Sequence, residues 1–390
     1  MGLSSYICYN YIVPRDVALY IHVPFCHNMC PYCSFVSYDH REVDIPLYLS
    51  ALKKELKRRA GGECIRNIYF GGGTPSLLSV KHVGGLISTI SSLFTLDEAA
   101  EITIEANPGT INRAYLTAIR GLGVNRLSLG VQSLNDRELA LLGRIHTATE
   151  ARDAVQHARG SGVDNLSIDL IYGLPGQTLS DWQYTLGEAI TMRPEHLSLY
   201  SLTLEAETPM WRAIKEGSLP ELDPDVSADH YELAEDLLAR QGYSHYEISN
   251  WAIAGRECRH NLTYWRNLPY LGVGVAAHSY LDGHRLANTK SLDEYLANFS
   301  GKSLPVPELD EEIHPELEIA ETAILGLRLC EGIDLDDIRR HFGIDILAHY
   351  RQQVEEMVDA GLLEQADGHI KLTRRGRMLS NEVFWRFLPR

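Results

Sequence analysis

Cys26, Cys30 and Cys33 fall within eight residues of one another in the stretch YIHVPFCHNMCPYCSF, spaced C-x3-C-x2-C. Thiols crowded like this in a reducing compartment are metal ligands more often than disulfide partners. Three thiolates can hold three irons of a [4Fe–4S] cube and leave the fourth iron to a ligand that is not protein. A structural zinc ion would want four protein ligands, and His22 or His27 would complete that set. Ordinary buried thiols are the bland alternative. Further along, the glycines of Gly71-Gly72-Gly73-Thr74 permit close backbone approach to a ligand. Glu105 can accept hydrogen bonds from hydroxyl or amino groups, and Arg144 can pair with a carboxylate.

These residues need a frame. Short apolar runs recur at ALYIHV (18–23), NIYFGG (67–72), EITIEA (101–106), RLSLGV (126–131), NLSIDLIYG (165–173) and HLSLYSL (196–202). Each reads as a strand buried on both faces. Helical stretches such as IPLYLSALKKELKRR, INRAYLTAIRGLG, ATEARDAVQHARGSG and LSDWQYTLGEAITMR separate them. Alternation of this kind implies right-handed βαβ units on a parallel sheet. The expected fold class is α/β: a partial (β/α)6 barrel of TIM type over residues 1–245. Chemistry belongs at the carboxyl ends of such strands, where the cysteine loop, the glycines, Glu105, Gln132 and Asp169 all fall.

Residues 246–390 are expected to form a smaller α+β region. A helix runs through PELEIAETAILGLRL, and the order helix, helix, hairpin after residue 333 is winged-helix-like. That end carries nine Lys or Arg against ten Asp or Glu between residues 333 and 390, so no nucleic-acid partner is expected. The whole chain has a net charge of −16 over 390 residues, with 45% hydrophobic residues and seven cysteines. An odd, sparse cysteine count excludes a disulfide scaffold. The N-terminus lacks a basic segment followed by an apolar one, and Tyr6 breaks the myristoylation pattern. No apolar run is long enough to span a membrane, and a cytoplasmic location is expected.

The cysteine loop followed by GGGTP resembles the radical S-adenosylmethionine proteins. YIHVPFC, GGGTPS, IEANP, GVQS, GRIHTA and DLIYGLPGQ resemble the oxygen-independent coproporphyrinogen III oxidase group, across nearly the whole chain. The resemblance implies a [4Fe–4S] cluster on the three cysteines, with S-adenosylmethionine on its open iron near Tyr20, Tyr32, Gly72 and Glu105. Gly73, Thr74, Gln132, Arg144 and Asp169 match positions that hold a second S-adenosylmethionine in the oxidase.

Three features separate this chain from the oxidase branch. Phe35 stands where the oxidase has a further cysteine, only about 17 residues precede the first strand, and residues 260–265 read HNLTYW. That element resembles the haem-chaperone branch, and it implies haem binding through His260, Tyr264 and Trp265, with Cys258 as a lesser candidate. The same resemblance implies a haem-accepting protein as partner, membrane-associated respiratory proteins being one candidate class, and is compatible with a homodimer. It also implies the absence of coproporphyrinogen oxidase activity. An active radical enzyme on a porphyrin is the alternative.

Overall fold

All six apolar runs are neighbouring parallel strands in the computed structural model, which describes residues 15–300 and 307–389. They are β1 (Asp16–Val23), β2 (Cys64–Gly72), β3 (Thr95–Ala106), β4 (Arg126–Gln132), β5 (Leu166–Tyr172) and β6 (His196–Ser201). Their burial is nearly continuous, as both faces of a parallel sheet are covered. The stretch read for signal and acylation patterns lies outside the described residues.

After β6 the chain adds strands at both edges. The antiparallel pair β7 (Ser244–Glu247) and β8 (Asn250–Ala252) extends the sheet beyond β6. On the opposite edge β9 (Tyr270–Val273) lies parallel to β1, followed by antiparallel β10 (His278–Leu281), β11 (His284–Ala287) and β12 (Leu309–Glu312). The resulting sheet has twelve strands and stays open, a partial barrel with extended rims.

The covering helices include α1 (Ile45–Arg59), α2 (Val80–Leu93), α3 (Arg113–Arg120), α4 (Ala148–Gly160), α5 (Leu179–Thr191) and α6 (Pro224–Arg240). Thr147 and Thr178 start α4 and α5 with reciprocal capping boxes, which fixes where two of the loops at the amino ends of these helices stop. The seven-residue α7 (Arg259–Trp265) carries the HNLTYW element and packs on β2.

Packing carries the barrel core past residue 245. Trp251, Leu271, Val273, Tyr295 and Phe299 belong to the barrel core, because the strands at 250–252 and 270–273 pair directly with β6 and β1. A separate core gathers residues from Ile319 to Phe387. It holds α8 (Pro315–Gly326), α9 (Leu335–Phe342) and α10 (Arg351–Asp359). Its small sheet is ordered β13 (Ile333–Asp334), β15 (His369–Leu372), β14 (Leu363–Ala366), a winged-helix-like arrangement with one strand beyond the expected hairpin. Among the described residues no helix is long and apolar enough to cross a membrane.

Candidate cofactor site at the strand ends

The loop after β1 brings Cys26, Cys30 and Cys33 to a cavity of about 430 Å³ at the carboxyl ends of the strands. Two short strands, Phe25–Cys26 and Tyr38–Asp39, pair across the ends of that loop and hold it. Burial raises the thiol pKa of both Cys26 and Cys33, neighbouring cysteines raise each further, and Arg144 opposes this. Three thiolates in that setting would require a neighbouring positive charge. Arg144 Nη1 points at Cys30 Sγ at 3.5 Å, and Thr74 Oγ1 donates to Cys26 Sγ at 3.6 Å.

Neither histidine of the zinc alternative is placed for it. His22 Nδ1 is 3.0 Å from the Tyr20 hydroxyl and Nε2 is 2.8 Å from the Val36 carbonyl, while His27 turns outward to Glu42. Among the described residues no trio of His, Cys, Asp or Glu converges on a single point as one metal ion requires. The three thiols all line the mouth of the same cavity.

The glycines are required here by geometry. Gly72 has φ +118°, and a Cβ on it would lie 2.7 Å from the His22 ring; one on Gly73 would lie 2.8 Å from the Phe25 carbonyl and 2.9 Å from Cys26 Sγ. Only glycine lets the backbone pass so close behind the cysteine loop. Gly72 N–H donates to Glu105 Oε2 at 3.1 Å, and the Tyr69 hydroxyl donates to Oε1 at 2.8 Å. Burial lifts the Glu105 carboxyl to about 7, Asp169 adds repulsion, and these two donors hold the value down.

Asn107 ties the site together: its Nδ2 donates to Thr74 Oγ1 at 3.0 Å, and its Oδ1 accepts from Arg144. Gln132 leaves β4 with φ +68° at a register shift against β5, a bulge that aims a polar side chain into the cavity. Tyr32 and Asp169 line the same cavity. Tyr20 is the exception among the expected contacts, since it lies beneath the cavity and stacks against Tyr69 at 6.3 Å.

Asp169 stands on a rung of serines that the motif reading passed over. Ser128 donates to it at 2.9 Å and Ser167 at 3.0 Å, and Ser198 adds a third bond. The signal was present: RLSLG, NLSID and HLSLY each carry a serine, with Ser128 level with Ser167 and Ser198 level with Asp169 itself. Tyr69 and Asn107 were also missed, and only their contacts across the sheet mark them.

The HNLTYW element lies elsewhere. His260 is 1% exposed in the barrel interior. Its Nδ1 is 2.5 Å from Asn67 Oδ1 and its Nε2 is 2.8 Å from the Tyr264 hydroxyl. Burial, reinforced by the Arg126 charge, lowers its pKa to about 3, so the ring is neutral. Both ring nitrogens of His260 are engaged in the core. It is also not remote from the strand-end site, for it stacks on Tyr69 at 4.9 Å, and Tyr69 holds Glu105. Tyr264 is spent on His260. Cys258 is buried and its thiol is pushed up to about 12, which makes it a poor ligand. Trp265 lines a groove facing the C-terminal core.

Residues 20–189 match the Radical SAM superfamily and residues 313–379 match the HemN C-terminal domain. The chain is 34% identical to the protein named Heme chaperone HemW of Bacillus subtilis (strain 168), covering 95% of this chain and 98% of that one. It is 36% identical to the Heme chaperone HemW of Lactococcus lactis, over 97% of this chain and 98% of that one. Among solved structures it resembles the coproporphyrinogen III oxidase HemN of Escherichia coli, a radical SAM enzyme. The TM-score is 0.84 at 26% identity, covering 96% of this chain and 90% of that one.

Proposed function

The chain belongs to the Heme chaperone HemW family of radical SAM proteins, and from that membership we propose that it binds haem and passes it to an acceptor protein. Cys26, Cys30 and Cys33 would hold a [4Fe–4S] cluster with its fourth iron open to S-adenosylmethionine. When bound, cluster and cofactor together supply one-electron chemistry at a sulfonium. The chain's own residues do the rest. Gly72, Gly73 and Thr74 form the backbone wall along which a flat or extended ligand lies. Glu105 accepts from hydroxyl or amino groups, and Arg144, steadied by Asn107, pairs with a carboxylate.

The observation that carries this reading is the convergence of the three thiols, the glycines, Glu105 and Arg144 on one cavity at the strand ends. Anaerobic reconstitution tests it: about four irons per chain are expected, lost in Cys26→Ala, Cys30→Ala or Cys33→Ala. Stoichiometric zinc without broad absorption near 400 nm (about the charge-transfer region of such clusters) contradicts it.

A second reading, radical turnover on a porphyrin, is favoured by the likeness to the oxidase structure. Against it, Phe35 stands 70% exposed at the cavity where the oxidase pattern has cysteine. Release of deoxyadenosine, measured with and without haem, separates the two. Vinyl products formed from coproporphyrinogen III over multiple turnovers would favour the second.

A further inference from the structure

From Asp169 at the strand-end cavity a line of hydrogen bonds crosses β5, β6 and β7 to the residue before α7. Ser167 Oγ lies 3.0 Å from Asp169 Oδ1 and 2.8 Å from His196 Nδ1. His196 Nε2 lies 2.8 Å from the Tyr246 hydroxyl, to which the Cys258 N–H donates at 3.4 Å. We propose that His196 and Tyr246 are positioning residues for the strand-end site, holding Asp169 through Ser167 as a carboxylate for a cationic ligand. The proposal rests on the S-adenosylmethionine reading above and extends it to two residues that do not line the cavity.

The direction of each bond follows from where the protons can be. Tyr246 Oη accepts from Cys258, and among the described residues its own proton has one acceptor, His196 Nε2. The imidazole is neutral, since burial lowers its pKa well below the ordinary value and the Arg126 charge lowers it further. A neutral ring that accepts at Nε2 carries its proton on Nδ1. Nδ1–H therefore donates to Ser167 Oγ, and the single hydroxyl proton of Ser167 is left for Asp169. In the opposite tautomer Nδ1 would accept, and it would compete with Asp169 for that proton. Tyr246 excludes this tautomer by donating to Nε2. His196 and Ser167 are fully buried, so bulk solvent supplies no substitute donor.

The surroundings of Asp169 make that donor count. Burial raises its carboxyl pKa, while the hydroxyls of Ser198, Ser128 and Ser167 and the charge of Arg126 on β4 pull it back. Glu105 on β3 repels it, and the phenols of Tyr69 on β2 and Tyr200 on β6 complete the ring of titratable neighbours. A carboxylate held against burial and a like charge is sensitive to the loss of one hydrogen bond.

Equilibrium dialysis of S-adenosylmethionine against the reconstituted full chain, between about pH 5 and about pH 9, tests the assignment. His196→Leu fills the space and removes both nitrogens, so Asp169 takes up a proton more readily. Affinity should then begin to fall at higher pH than in wild type, and more steeply than the about tenfold per unit of a single carboxyl. His196→Asn keeps an N–H near the place of Nδ1 and should return toward the wild-type profile. Tyr246→Phe frees the tautomer and should shift the profile the same way as His196→Leu, by less. Retained cluster absorption checks that each variant is folded. A merely structural role would lower affinity by one factor at every pH, and that outcome overturns the proposal, as does a wild-type profile in both His196→Leu and Tyr246→Phe. A wild-type chain that binds no S-adenosylmethionine overturns the cofactor reading itself, and the two failures are thus told apart.

Discussion

Glu105 connects ionisation to cofactor binding. Its carboxyl is raised by burial to about 7, well above the ordinary carboxylate value. A cationic sulfonium ligand favours the ionised form, so protonation competes with binding as pH falls through that value. Affinity for S-adenosylmethionine, measured by equilibrium dialysis between about pH 5 and about pH 9, should drop by about tenfold per unit below about 7 and be nearly flat in Glu105→Gln. A flat wild-type profile would remove Glu105 from the contact. His260 tests the core in a different way. Replacing it with Ala leaves Asn67 and Tyr264 without their buried partner and opens a cavity, a loss of about 2–5 kcal/mol in denaturant unfolding. Tyr264→Phe should cost only about 1–3 kcal/mol, from one unpaired nitrogen. No spacing in the sequence reveals Asn67, which lies 193 positions away from His260; the resemblance of HNLTYW, not any spacing, marked the imidazole as a haem-ligand candidate. The cysteines were legible for the opposite reason, since their whole arrangement is local.

The glycine run shows what the elements demand. β2 must turn behind the cysteine loop with almost no space, and a methyl group on Gly73 meets Cys26 Sγ. Gly73→Ala should therefore lower the iron content of reconstituted protein, whereas Gly109→Ala, whose Cβ has nothing within 4 Å, should not. Equal iron in both variants would contradict the packing argument. The six parallel strands could be read from sequence because each is an apolar run between helices. The strands from Ser244 to Ala287 could not: they are three or four residues long, mostly antiparallel and edge-bound, and too short for a period to register.

At the scale of the whole molecule, a polar joint at Glu235 is one of the places where the two cores meet. Glu235 of α6 receives Arg374 at 2.8 Å, Arg377 at 2.6 Å and His245 at 3.2 Å. Burial alone would raise its pKa, but His245 and Arg377 outweigh burial and lower it. A depressed carboxyl contributes stability above its unfolded value and loses it as pH falls through the folded one. Glu235→Gln should loosen the joint at neutral pH by about 2–4 kcal/mol and separate the unfolding of the two cores, seen as two calorimetric transitions. α7 touches both regions, with His260 against Tyr69 at one end and Trp265 in the groove at the other. The central claim, a cluster and a haem held in separate places on one chain, is tested most directly by iron and haem counted together after anaerobic reconstitution and haem loading. The account predicts about one haem and about four further irons per wild-type chain, and haem without the further irons when Cys26, Cys30 and Cys33 are all replaced by Ala. Loss of haem together with the cluster, or no haem in wild type, would contradict it.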